Sequence, residues 1–251
     1  MRMKKNGIPI VSLNNADAVY KAYFSIKNKP LSILPQFYMV ELMDYLYHKF
    51  VPDMVVSPTL DPDLPSAASK LKRIGPIVRS GIEPTKTIQP AAKVIIMLSG
   101  STFSSELKFK RETYPFKIEI VGHSKPDDVP QHPDITYHGK LKNSPEMLRD
   151  ADLLLVNGGF SAVSEGFVLR KPLLVIPVPN HAEQWINART IETLGVGLMC
   201  TEDNFEGVMF QALDRLPQFI DAFDRLPPLT DAAENAAKLI LETAKENATT
   251  K

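Results

Sequence analysis

The chain has 251 residues, 44% of them hydrophobic and 23% charged, and its twenty-nine basic and twenty-nine acidic side chains cancel. Such a composition suits one large or two small globular domains, excludes global disorder, and offers no field of one sign to attract nucleic acid. A single cysteine, Cys200, excludes an internal disulfide, and the five histidines lack zinc-ligand spacing, so a cytoplasmic, metal-free protein is expected.

No apolar run reaches the roughly 20 residues that cross a bilayer, and Met1 to Asn6 leads into no signal-peptide core. Gly7 to Leu13 reads as a short buried strand ending in the polar turn Asn14-Asn15. Ala18 to Lys27 is a helical or irregular connector. Leu34 to Phe50, LPQFYMVELMDYLYHKF, predicts a helix that is apolar on nearly all sides. Such a helix is ordinarily core, and the sharper reading is a face for lipid or a partner chain.

Asp53 to Ser57 predicts a further strand. Pro58, Pro62 and Pro65 then mark a loop in which Asp61 and Asp63 read as a solvated turn rather than a metal site. Lys72 to Arg79 reads as the last strand of a first domain, and Ser80 to Pro90, with two prolines, as a linker. The expected division is therefore residues 1–80 and 81–251.

Lys93 to Leu98 predicts a strand followed by Ser99-Gly100-Ser101-Thr102, where free amides and hydroxyls at a helix start could cradle phosphate. Lys117 to Val121 is the next strand. Its turn, Gly122-His123, puts a histidine at a strand end, more ordinarily a surface residue than a base. Ile135 to His138 continues the alternation, with a turn at Gly139-Lys140-Leu141 and a short helix from Pro145 to Arg149.

The most informative stretch runs from Asn157 to Gly195. Leu153 to Val156 leads into Asn157-Gly158-Gly159, and a helix opens around Ser161. A strand, a glycine turn and a helix start present unpaired amides and a dipole's positive end to an anion, phosphate above all. A plain tight turn is the bland alternative. With Ser161 as N-cap, the acid of a capping box belongs at Ser164, so Glu165 falls one place late and its carboxylate is free for vicinal ribose hydroxyls. Otherwise Glu165 merely complements the helix dipole.

Lys171-Pro172 stops that helix, and Leu173 to Ile176 is the next buried strand. After a loop from Val178 to Ala182, Glu183-Gln184-Trp185-Ile186-Asn187 begins a helix that closes at Gly195. An acid and an amide at that helix start suit the hydroxyls of a sugar. Strand–helix alternation from Lys93 to Leu194 predicts a doubly wound parallel sheet with its ligand crevice outside the strand carboxyl ends. An alanine-rich terminal helix follows from Asp231 to Glu246.

The order GGFSAVSE, KPLLVIP, HAEQWINA, LGVG resembles the donor-binding half of the GT-B glycosyltransferases, nearest the lipid-linked N-acetylglucosaminyltransferases of peptidoglycan synthesis and their relatives. The resemblance implies an α/β GT-B-like fold with a short, incomplete first domain, toward which the terminal helix packs back. It implies diphosphate at Gly158 and Gly159, with Gly100, Ser101, Ser161 and Ser164 also in the donor site. Ribose would fall to Glu165, uracil to the turn at Leu141, and the sugar to Glu183 and Gln184 with Asn187 beside them. Asn157 stands where many members have histidine or threonine, and Arg170 where glycine is usual.

The implied activity is metal-independent transfer of a sugar from a UDP-sugar to an acceptor hydroxyl, without a cofactor, on an acceptor that is lipid-linked or a glycan. The catalytic residue is not legible. Because the first part of the chain matches only loosely, a donor-binding subunit without independent catalysis is the alternative, and a UDP-sugar epimerase ranks last. Partner binding, self-association or peripheral membrane contact is expected through the Leu34 to Phe50 region.

Overall fold

The computed structural model describes residues 8–61, 69–85, 92–98, 107–122, 124, 125, 127, 130–141 and 144–249. They form two compact units, one of Met1–Val78 with Leu229–Lys251 and one of Arg79–Pro228.

The first unit has a parallel sheet in the order β1 (Val11–Leu13), β2 (Met54–Pro58), β3 (Leu71–Ile74). Helix α1 (Ala16–Ser25) replaces the connector, and its buried Val19 and Tyr23 lie four residues apart, one stripe of a helix. The aromatic segment is helical but not uniform. A 3-10 turn at Leu31–Ile33 and an α turn at Leu34–Gln36 lead into a π turn at Phe37–Glu41 and then α2 (Leu42–Phe50).

The π turn buries Phe37, whose ring stacks on Tyr23 at 3.4 Å between centroids. Tyr45 stacks on Tyr20 at 3.9 Å. Those contacts use one side of the helix only. Met39, Met43, Tyr47 and Phe50 are each more than half exposed, so the segment is not the all-round core helix its composition first suggests.

The terminal helix α8, counted after the second unit's helices, spans Ala233–Thr249 and lies with β1 and β2, where Ala232 and Ala236 pack with Val56 and Ile74. Asp231 accepts from the Val78 amide at 3.0 Å. By these contacts the helix belongs with the first unit rather than with residues 81–228, which a division read along the chain does not reveal.

The second unit holds six parallel strands: β4 (Lys93–Met97), β5 (Lys117–Val121), β6 (Ile135–Tyr137), β7 (Leu153–Asn157), β8 (Leu173–Ile176) and β9 (Gly197–Met199). Their order is β6-β5-β4-β7-β8-β9. Helices α3 (Ser144–Arg149), α4 (Phe160–Val168), α5 (Ala182–Leu194), α6 (Phe205–Asp214) and α7 (Leu216–Arg225) complete it.

Central strands such as LLLV and LLVI are buried on both faces, hence their unbroken apolar runs. Leu153, Leu155, Leu174 and Ile176 join Phe205, Met209 and Phe219 in one core layer. Leu154 and Leu173 point to the other face, where they meet α4 at Gly166. Between β4 and β7 the winding reverses, because β5 and β6 extend one way and β8 and β9 the other. A crevice for a ligand is expected at the carboxyl ends of those two strands.

Arg170, between α4 and β8, has φ of 57°. A left-handed backbone costs a side-chain-bearing residue about 1–2 kcal/mol, which explains why glycine is usual there. Here the guanidinium bonds the Phe223 carbonyl, reaches Asp224 at 3.1 Å and lies 5.7 Å from the Phe223 ring centroid, contacts that offset the strain.

Candidate donor site at the switch point

The glycine turn closes β7 at the crevice. Gly159 is the N-cap of α4, with φ −62° and ψ 136° and no side-chain capping bond, so the helix begins at Phe160 and Ser161 is not the cap. The two glycines do different work. A Cβ on Gly158 would stand 2.5 Å from the Gln184 carbonyl oxygen and 2.8 Å from its Cβ, so this glycine admits α5 rather than a ligand. Around Gly159 nothing lies within 4 Å of such a Cβ, leaving open space at the start of the helix.

Ser161 is exposed on the first turn, whereas Ser164 is fully buried and its hydroxyl has no hydrogen-bond partner among the described residues. A ligand on the surface does not reach Ser164. Asn157, at the strand end, is buried as well.

Glu165 is 4% exposed, and its carboxylate is not free as its position after the cap implied. Arg79 Nε and Nη2 each donate to one of its oxygens at 2.6 Å, a two-pronged charge-assisted pair. The pairing raises the Arg79 pKa further, so the guanidinium is permanently charged. Arg79 Nη2 also lies 4.0 Å from the sulfur of Met97, the last residue of β4. One cation thus bridges the two strands that flank the reversal, with the β4 end on one side and the helix after β7 on the other. Reading along the chain missed it, because Arg79 looks like the last residue of a strand and its partner is 86 residues away.

Helix α5 supplies the neighbouring wall. His181 is its N-cap and accepts from the Gln184 amide at 3.5 Å, a role the HAEQ motif hides because histidine is an uncommon cap. Glu183, in the first turn, is half-buried. Gln184 Oε1 accepts from the Val178 amide at 3.0 Å, fastening the loop after β8. Asn187 is buried and its Nδ2 donates to the Gly158 carbonyl at 2.9 Å, so it holds the glycine turn rather than facing a ligand. Gly195 closes the helix at φ 73°, as its position predicts.

Leu141 is exposed in the loop after β6, at the same carboxyl edge but two strands from β4. Gly100, Ser101 and His123 lie outside the described residues. The structure therefore gathers Gly158, Gly159, Ser161, Glu165, Glu183, Gln184 and Asn187 around one junction, and sets Leu141 apart from it.

A doubly wound parallel sheet whose reversal carries a glycine turn and a helix start is an α/β fold of the GT-B kind. The profile of Glycosyl transferase family 1 matches residues 3–217, and the chain belongs to that family.

Among individual proteins, 58 residues are 34% identical to an uncharacterised glycosyltransferase of Methanopyrus kandleri, over 23% of this chain and 17% of that one. Over 176 residues, 61% of this chain and 49% of the relative, it is 27% identical to a UDP-N-acetylglucosamine–N-acetylmuramyl-(pentapeptide) pyrophosphoryl-undecaprenol N-acetylglucosamine transferase of Prochlorococcus marinus. The chain thus spans about half or less of these curated relatives.

Among solved structures it resembles the glycotransferase of kitacinnamycin, with TM-score 0.59, 17% identity, and 88% of this chain and 66% of that one covered. It likewise resembles the MurG protein of Acinetobacter baumannii, with TM-score 0.55, 13% identity, and 97% and 68% covered. These likenesses establish the fold.

Proposed function

We propose that the chain transfers a sugar from a UDP-sugar, N-acetylglucosamine foremost, to an acceptor hydroxyl, without metal or cofactor. The observation that carries this reading is the open space at Gly159, on the α4 start, beside the acid–amide pair of α5. In this reading the diphosphate takes the amides of the first turn of α4, which also stabilise charge as the diphosphate leaves. The Glu165 carboxylate has lone pairs beyond the two that Arg79 uses, and these receive the ribose hydroxyls. Glu183 and the Gln184 Nε2 group serve the sugar, since Gln184 Oε1 is already committed to Val178. The turn at Leu141 serves the base. Transfer is by direct attack of the acceptor hydroxyl, with inversion.

The named relative from Prochlorococcus acts on an undecaprenol-linked acceptor, and a lipid-linked or glycan acceptor is proposed here by that likeness. No helix among the described residues is long and apolar enough to cross a membrane, so contact with lipid on this reading is peripheral, from the cytoplasmic side. The exposed Met39, Met43 and Phe50 support such contact, or contact with a partner chain.

The test is donor-dependent release of UDP by the purified chain across a panel of UDP-sugars and acceptors, with and without candidate partner proteins. Release with one donor supports transfer. Binding of UDP without release under any condition supports the second reading, a donor-binding subunit, favoured by the placement of every donor candidate in the Arg79–Pro228 unit. Neither binding nor release overturns both.

A further inference from the structure

We propose that Ser12, His48 and Asp44 form an acyl-transfer centre in the first unit, with Ser12 the nucleophile and small carboxylic esters the substrate class. It is separate from the donor-site reading, since all three residues belong to the Met1–Val78 unit and every donor candidate to the other.

The geometry is a directed chain of hydrogen bonds. His48 Nε2 lies 3.1 Å from Asp44 Oδ1, one turn back along α2. A carboxylate only accepts, so in the neutral ring Nε2 carries the hydrogen and Nδ1 keeps its lone pair. That lone pair faces the Ser12 hydroxyl at 2.6 Å, so the hydroxyl donates to the ring. Asn14 Nδ2 donates to the same Oγ at 2.9 Å, and its amide is held the right way round because Asn14 Oδ1 accepts from the Ala16 amide at 3.0 Å. A serine hydroxyl bonded to an imidazole whose far nitrogen is held by a carboxylate is the arrangement that makes serine a nucleophile, and it is recognised by geometry rather than by order in the chain. Here Nδ1 rather than Nε2 faces the serine, and either nitrogen can take the proton.

The placement favours chemistry. Ser12, Asn14 and His48 are half-buried and Asp44 is exposed, so the chain of bonds reaches solvent rather than lying sealed in the core. Ser12 stands one residue before the carboxyl end of β1, at the edge of a parallel sheet where ligands bind. Tyr47, more than half exposed, sets its ring perpendicular to the imidazole at 5.0 Å and offers apolar surface to an acyl group. The bland alternative is a strap that holds α2 against β1. For a strap the Ser12–His48 bond suffices, whereas the carboxylate behind the ring and the amide on Oγ are additions that nucleophilic attack uses.

In the step proposed, a lone pair of Ser12 Oγ attacks the ester carbonyl carbon while the hydroxyl proton passes to His48 Nδ1. The second hydrogen of the Asn14 amide meets the carbonyl oxygen as it becomes charged. The bond to the alcohol oxygen then breaks, His48 returns the proton to that oxygen, and the acyl group remains on Ser12. Water, giving a proton to His48, attacks the acyl carbon, and His48 passes the proton back to Ser12 as the acid leaves. Ester and water thus become acid and alcohol. Asp44 touches no reacting atom and is a positioning residue that fixes the tautomer of the ring.

The test is reaction of the purified chain with a fluorophosphonate probe, in which Oγ displaces fluoride at phosphorus, read by intact mass and peptide mapping, beside hydrolysis of p-nitrophenyl acetate. Expected is a single phosphonyl adduct, on Ser12, and ester turnover that Ser12→Ala brings down to the buffer rate. His48→Ala slows labelling by about 100-fold or more, the lower end for a general base. Asp44→Asn, whose amide donates to Nε2 and so moves the ring hydrogen to Nδ1, lowers kcat while KM stays as in the parent. A strap would not give that split.

Because the adduct is mapped on the parent, a variant that fails to fold does not decide the matter. No adduct on the parent, an adduct on another residue, or labelling of a folded His48→Ala variant at the parent's rate overturns the proposal.

Discussion

Single residues at the crevice separate packing from recognition. Gly158→Ala forces a methyl group into the Gln184 backbone and should cost about 1–3 kcal/mol of stability, the range for overpacking, measured by denaturant unfolding. Gly159→Ala should cost less than about 1 kcal/mol, because its Cβ enters open space at an ordinary φ, yet it should weaken UDP binding in calorimetry by crowding the helix start. If the two substitutions behave alike, the division of labour between the glycines is wrong. Lys171 makes a second residue-level case. It is 3% exposed, and burial pushes its pKa down to about 8 from the usual 10.5 against the opposing pull of Asp152 and Asp150. Below about pH 8 the amine is charged in both states and its desolvation cost is fully present. Between about 8 and 10.5 the unfolded chain holds the extra proton, so this group's contribution to stability rises with pH. Lys171→Met should therefore be more stable than the parent at pH 7, by on the order of 1–3 kcal/mol. That advantage should shrink as pH approaches 10.5, and a constant difference across the range would refute the assignment.

At the level of elements, strands were legible where burial writes an unbroken apolar run: Leu173 to Ile176 and Lys117 to Val121 carry the same bounds in sequence and structure. The short β9 escaped, because three residues beside a helix-closing glycine make no pattern, and so did α6 and α7, whose apolar stripes follow no motif. In the site, the glycine turn and the α5 start were readable from local order. The Arg79 pair, the Asn187 bond to Gly158 and the burial of Ser164 were not, since each depends on contacts or orientation that spacing along the chain does not encode. The aromatic segment shows the same limit. Its composition is apolar all round, but the stacking of Phe37 and Tyr45 fixes which side is buried, leaving Met39, Met43 and Phe50 outward. Replacing Met39 and Met43 together by glutamine should abolish flotation with vesicles if that face meets lipid, and leave the circular dichroism spectrum unchanged. Persistent flotation would put the contact elsewhere.

For the molecule as a whole, the two units are built on different sheets, and the chain leaves the first, forms the second and returns to the first in α8. Each sheet is parallel throughout, so each depends on contacts between distant parts of the chain, a topology that folds slowly for its length. Within the second unit, the close seat of Gly158 against Gln184 and the Asn187 bond to the Gly158 carbonyl tie the turn after β7 to the helix after β8. Neither can open without dislodging the other. In hydrogen exchange the protected amides around 157–163 and 184–191 should accordingly share one opening free energy, as a single cooperative unit. A substitution such as Asn187→Ala should lower protection in both segments by the same amount. Separate exchange of the two segments in the parent would show instead that the turn after β7 and the helix after β8 fluctuate independently.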